Sequence, residues 1–103
     1  LQKIVALTTS YGVVTVPHVW GSGIAVAAAL QAIATLPLVP HTEIGVPLQN
    51  APVIEFDRSP NPIRDELLEI PFALEDGCLA VPQGPGLGVT VNEDKLKEFA
   101  KGL

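Results

Sequence analysis

The sequence predicts an α/β fold built on parallel strands, and three stretches carry that prediction. A β-branched run at 13–16 (Val13, Val14, Thr15, Val16) stops at Pro17, an alanine-rich segment opens after Ser22, and a second apolar run (Val53, Ile54, Glu55, Phe56) follows a proline-rich connection. A β-branched run of this kind reads as a strand buried on both faces. Strand, helix and strand in one sheet make a right-handed crossover, which requires the two strands to be parallel.

In chain order, Leu1, Ile4, Val5 and Thr8 recur at helical spacing with Leu7 alongside, and Gly12 is placed to end that helix. The chain is therefore expected to open on the last turns of a helix and to be a piece of a longer protein. After the first strand Pro17 and His18 lie at its carboxyl end, and Ser22 is a suitable N-cap for a helix over 23–36 (GIAVAAALQAIATL). Gln31 and Thr35 mark a narrow polar face on a helix otherwise apolar enough to want neighbours on most sides. Pro37 and Pro40 stop it, and residues 37–50 form a long connection.

Beyond the second strand, Pro60 and Pro62 force an extended or turning path, and 63–69 (IRDELLE) reads as a short helix. The texture then changes. Glu75-Asp76-Gly77 is a turn signal, 79–81 a short strand, 84–88 (GPGLG) a tight glycine-proline passage, 89–91 another strand and 94–101 a charged helix. The expected organisation is a barrel-like part over 1–70 and a tail over 71–103 that packs elsewhere.

Composition narrows the function. Hydrophobic residues make up 48% of the 103 positions and mean hydropathy is +0.38, high for a free-standing soluble domain, so something is expected to cover it. A net charge of −5 argues against nucleic acid as a partner. Gln31 and Thr35 interrupt the best apolar stretch, so no membrane span is expected. The one cysteine, Cys78, excludes an internal disulfide, fits a cytoplasmic location and reads as a small apolar residue.

Ligands in parallel α/β folds bind beyond the carboxyl ends of strands, which gives His18 and Glu55 a route to one pocket. There His18 would serve as acid or base and Glu55 as a hydrogen-bonding acid. The structural alternatives are that His18 caps a turn and that Glu55 pairs with Arg58. Asp57 is either a second, substrate-facing carboxylate or a loop partner of Arg58, and Trp20 is either a substrate wall or packing. His41 and Glu43 fall on the opposite, stability face of such a fold. GPGLG lacks the G-x-G-x-x-G spacing of a phosphate loop and reads as a chain reversal. No cluster has metal-ligand spacing.

Three tracts bring these observations together: PHVWGSG at 17–23, NAPVIEFDRSPNP at 50–62, and DGCLAVPQGPGLGVTVNEDKL at 76–96. They resemble the carboxyl-terminal part of the enolase superfamily, mandelate racemase and muconate lactonizing enzyme-like branch, and in particular its galactarolactone cycloisomerase-type sugar-acid enzymes. The resemblance implies the last two parallel strands of a TIM-type barrel, their helices, and a tail returning to a capping domain. It implies a Mg²⁺-dependent enzyme whose base removes the proton α to a carboxylate of a sugar acid or its lactone. His18 matches the histidine that serves there as base or acid, normally oriented by an aspartate on the preceding strand. Glu55 matches the glutamate that donates a hydrogen bond to the developing oxyanion. The Mg²⁺ ligands are expected upstream of this chain, which by itself is expected to hold no metal and to be inactive. The resulting expectation is a cycloisomerase of an aldaric acid lactone, a homo-oligomer in full-length form. A dehydratase or racemase of the same superfamily, or a non-catalytic packing module, is the alternative.

Overall fold

Gly12 stands just past the first helix with a φ of 63°. The amide of Val13 reaches the Thr8 carbonyl at 2.9 Å and that of Gly12 reaches Thr9 at 3.1 Å, the double closure of a Schellman C-cap. In the computed structural model, which describes residues 1–36 and 52–101, this helix is α1 (Gln2–Ser10). Then follow β1 (His18–Val19), α2 (Gly23–Ile33), β2 (Glu55–Phe56), α3 (Pro62–Asp65), β3 (Leu74–Glu75), β4 (Cys78–Leu79) and α4 (Glu93–Ala100). The expected connection over 37–50, with His41 and Glu43, lies outside the described residues.

β1 and β2 pair in parallel, His18 opposite Glu55 and Val19 opposite Phe56, as expected for a strand–helix–strand unit. Both strands are shorter than their apolar runs and begin late in them, so that His18 and Glu55 open the paired strands instead of standing at their carboxyl ends. Pairing begins where the Glu55 amide donates to the Pro17 carbonyl at 3.1 Å. Among the described residues, 13–16 make no ladder, and Val13, Val14 and Val16 are exposed, not buried on both faces. A strand is a hydrogen-bonded object, and β propensity alone does not supply a partner.

α2 covers this pair. Ser22 caps it as expected, its side chain accepting from the Ala25 amide. Val26, Ala29, Leu30 and Ile33 bury one face against Val19, with Ile54 and Phe56 packed alongside. Gly23 is needed for closeness: a Cβ there would lie 2.9 Å from the Arg64 carbonyl and from the Leu68 side chain. The missing Cβ at Gly23 thus lets α2 approach α3.

The tail does not simply depart. Phe72 and Leu79 pack on the α2 core, and Gln31 Nε2 donates to the Pro82 carbonyl at 2.8 Å and the Leu87 carbonyl at 3.3 Å. The narrow polar face of α2 is therefore a tether. The helix expected over 63–69 ends at Asp65 because the following backbone is taken by the tail. Glu69 donates to Thr90, Asn92 donates to Leu67, and Leu68 bridges Val91. Asp76 and Gly77, both with positive φ (49° and 79°), form the two-residue turn that pairs β3 with β4. Reading only the second strand of that hairpin missed Leu74 and Glu75, whose sequence lacks alternation. Cys78 is exposed on β4. GPGLG reverses the chain as expected. Gly88 has a φ of 72°, and a Cβ there would stand 2.8 Å from the Pro82 backbone.

Among the described residues no helix is long and apolar enough to cross a membrane. The radius of gyration is 15.7 Å, against about 13 Å for a compact domain of this length, and Ile4, Leu7, Tyr11, Val13 and Val16 are open to solvent. We therefore expect the isolated 103-residue chain to bind the dye ANS and to melt without a sharp transition. A monomer that melts cooperatively would contradict this.

Candidate active site

The register that sets His18 against Glu55 points their side chains to the same side of the pair, and they meet: Nδ1 of His18 is hydrogen-bonded to Oε2 of Glu55. The expected neighbourhood of these two residues is present, and the Arg58 pairing proposed for Glu55 is not made. The pair is open, with 73% of the His18 side chain and 61% of the Glu55 side chain exposed. An ion pair this exposed contributes little to stability, so it does not hold the strands together. Trp20 stands two residues beyond His18 and is 72% exposed.

Asp57 is placed differently from expectation. Its partner is Arg64, not Arg58: Nη1 of Arg64 lies 3.1 Å from Oδ2. The Ser59 amide donates to Oδ1 at 3.0 Å and the Ser59 hydroxyl to Oδ2 at 2.6 Å. Both oxygens are thus engaged inside the loop that leaves β2. These bonds from Ser59, reinforced by the Arg64 charge, hold the Asp57 carboxyl below its ordinary range. Asp65 is lowered as well, mainly by its hydrogen bonds from Arg64.

Arg64 is the residue that sequence reasoning missed. It is 6% exposed, sits on α3, and stacks 5.4 Å from the Phe56 ring centre. Its guanidinium donates to the Asp57 carbonyl (2.5 Å), the Ser59 carbonyl (2.7 Å) and both Asp65 oxygens (2.7 and 3.0 Å). The signal lay in SPNPIRD: two prolines and an asparagine make a sharp turn whose carbonyls point inward, and an arginine fork is suited to collect them.

Volume and chemistry coincide only in part: His18, but not Glu55, borders an open cavity of about 800 Å³ with Val19, Ala29 and Leu87. A cavity of about 700 Å³ lies in the tail between Phe72, Leu79, Pro82 and Val89, and neither His18 nor Glu55 borders it. The paired titratable side chains mark the site, because a reaction needs acid–base groups within hydrogen-bond reach before it needs enclosure. Among the described residues no three His, Cys, Asp or Glu side chains converge so as to hold a metal ion. By themselves His18 and Glu55 do not make a metal centre.

A parallel strand pair in which a histidine stands opposite a glutamate, covered by a helix, is the strand–helix–strand unit of α/β folds. The family model "Enolase C-terminal domain-like" matches residues 1–95, and the chain belongs to that family. It is 44% identical over 99 residues to D-galactarolactone cycloisomerase of Agrobacterium fabrum, covering 96% of this chain and 25% of that relative. It is 27% identical over 99 residues to arabinonate dehydratase of Saccharolobus solfataricus, covering 96% of this chain and 23% of the relative. The crystal structure of the 3,6-anhydro-D-galactonate cycloisomerase from Zobellia galactanivorans superimposes with a TM-score of 0.72 at 41% identity, over 95% of this chain and 24% of that one. The chain spans about a quarter of the length of these relatives.

The Asp57 and Asp65 carboxyls titrate below their ordinary values, so they stabilise the fold above an unfolded carboxyl pKa of about 3.9. That contribution is lost as pH falls through their lowered folded values. In the intact protein, Asp57→Asn should flatten the decline of Tm with acid below about pH 4 relative to wild type. An unchanged slope would show that the Ser59 and Arg64 contacts are not linked to stability.

Proposed function

We propose that this chain supplies the acid–base pair of a sugar-acid cycloisomerase that removes the proton α to a carboxylate, acting on an aldaric acid lactone. The single observation that carries the reading is the hydrogen bond between His18 and Glu55 on the paired strands. The similarity to two cycloisomerases of sugar acids supports it. Such chemistry is expected to use Mg²⁺. We place its ligands outside the described residues, among which no three His, Cys, Asp or Glu side chains converge.

The chain's own residues divide the work as follows. A proton on His18 Nδ1, donated to Glu55 Oε2, fixes the imidazole tautomer and leaves the Nε2 lone pair free to take a proton from carbon. An α-proton of a carboxylate is weakly acidic, so removal requires that the negative charge developing on the carboxylate oxygens be met by a hydrogen-bond donor. Glu55 meets it if Oε1 carries a proton, while Oε2 still accepts from His18. Trp20, exposed beside the pair, forms a wall of the substrate pocket. Asp57, whose oxygens are engaged by Ser59 and Arg64, shapes the loop instead of binding substrate directly. A dehydratase would begin with the same proton abstraction, and arabinonate dehydratase is among the proteins that this chain is similar to; the product distinguishes the two.

In the intact enzyme, His18→Asn should lower kcat by about 10²–10⁴-fold, and Glu55→Gln by roughly 10²–10³-fold, each with little change in substrate affinity. Rates alone do not separate the roles. Proton NMR in D₂O does: His18→Asn should abolish deuterium incorporation at the α-carbon, whereas Glu55→Gln slows it, because an amide still donates. Undiminished exchange in His18→Asn would assign the base elsewhere.

A further inference from the structure

The His18–Glu55 contact is too exposed to position itself, yet proton transfer needs both groups held to within a fraction of an ångström. Something buried must hold them. Glu55 is followed two residues later by Asp57, whose carbonyl and carboxylate are both gripped by Arg64 Nη1, while Nη2 grips the Ser59 carbonyl. The same guanidinium is anchored on α3 by Asp65 and stacks over Phe56, the residue next to Glu55. The loop after β2 is thereby fastened at 56, 57 and 59.

A second tie reaches the other strand. Asn61 caps α3, its Oδ1 accepting from the Arg64 amide at 3.3 Å, and its Nδ2 donates to the Gly21 carbonyl at 3.2 Å. Gly21 lies in the β1–α2 loop between Trp20 and Ser22. One asparagine therefore joins the loop that follows His18 to the loop that follows Glu55, and the Arg64 cluster fixes that asparagine. We infer that Arg64, with Asn61 as its link, is a positioning residue that locks the two strand-end loops together and so sets His18 against Glu55. The inference rests on the proposed role of that pair.

Arg64→Lys in the intact protein is the test. Lysine keeps the charge but presents its donors from one point, so it cannot span the Asp57 carbonyl, the Ser59 carbonyl and the Asp65 carboxylate together. The expected result is a folded protein whose crystal structure shows the His18–Glu55 hydrogen bond broken. Its kcat should fall by about 10- to 100-fold, with KM changed by less than about threefold. Val5→Ala, which removes buried volume on α1 beside Ala32 and Thr35, at the end of α2 remote from both loops, should lower Tm while leaving the kcat of the folded enzyme unchanged. If it lowers kcat as much as Arg64→Lys does, general destabilisation accounts for the effect and the inference fails. A His18–Glu55 hydrogen bond that persists in Arg64→Lys overturns the inference, whatever kcat does. If the hydrogen bond is broken and kcat is unchanged, the positioning stands and the proposed chemistry of the pair is overturned instead. Should Arg64→Lys not fold, Asn61→Ser decides by the same readouts. Serine preserves the cap on α3 but cannot reach the Gly21 carbonyl.

Discussion

Arg64 is a cation with only 6% of its surface exposed, and the loop leaving β2 is arranged as its hydrogen-bond shell. A buried guanidinium with unmet donors is strongly destabilising, so the turn carbonyls and the two aspartates must converge on it. Convergence in turn sets the path of 57–61, whose carbonyls and carboxylate Arg64 collects. Even α2 feels the constraint, since its first residue must be glycine to pass the Arg64 carbonyl.

This arrangement divides the molecule into a supporting layer and a working edge. The supporting layer is α2, with Val26, Leu30 and Ile33 facing Val19 and Phe56, and its polar side chain Gln31 ties down the returning tail. The proposed working edge is where His18 and Glu55 meet on β1 and β2. A contact between two mobile, solvated side chains fixes little, whereas a shared backbone register and a buried ion cluster fix a great deal.

The tail illustrates how tertiary pairing overrides local pattern. IRDELLE has the composition of a helix, yet only its first residues belong to one. The amides and carbonyls of 67–69 find partners in Thr90 and Asn92, chain neighbours that no local window contains. Conversely Val13, Val14 and Val16 have strong β propensity but no ladder among the described residues, because propensity favours a pleated, half-buried surface and cannot create the strand that would flank it.

The sequence by itself determined the local signals: the Gly12 helix stop, the Ser22 cap, the parallel strand–helix–strand order, the chain reversal at GPGLG and the placing of His18 and Glu55 on the paired strands. Each follows from chemistry confined to a few neighbouring residues, such as a missing Cβ, a hydroxyl acceptor or a fixed proline φ. Tertiary structure alone decided the rest. It chose Arg64 over Arg58 as the partner of Asp57, ended α3 early, paired Leu74 and Glu75 with the strand after the turn, and joined the two site loops through Asn61 and Gly21. Those outcomes depend on which groups become buried together. Burial is what makes an unpaired donor costly enough to select its partner.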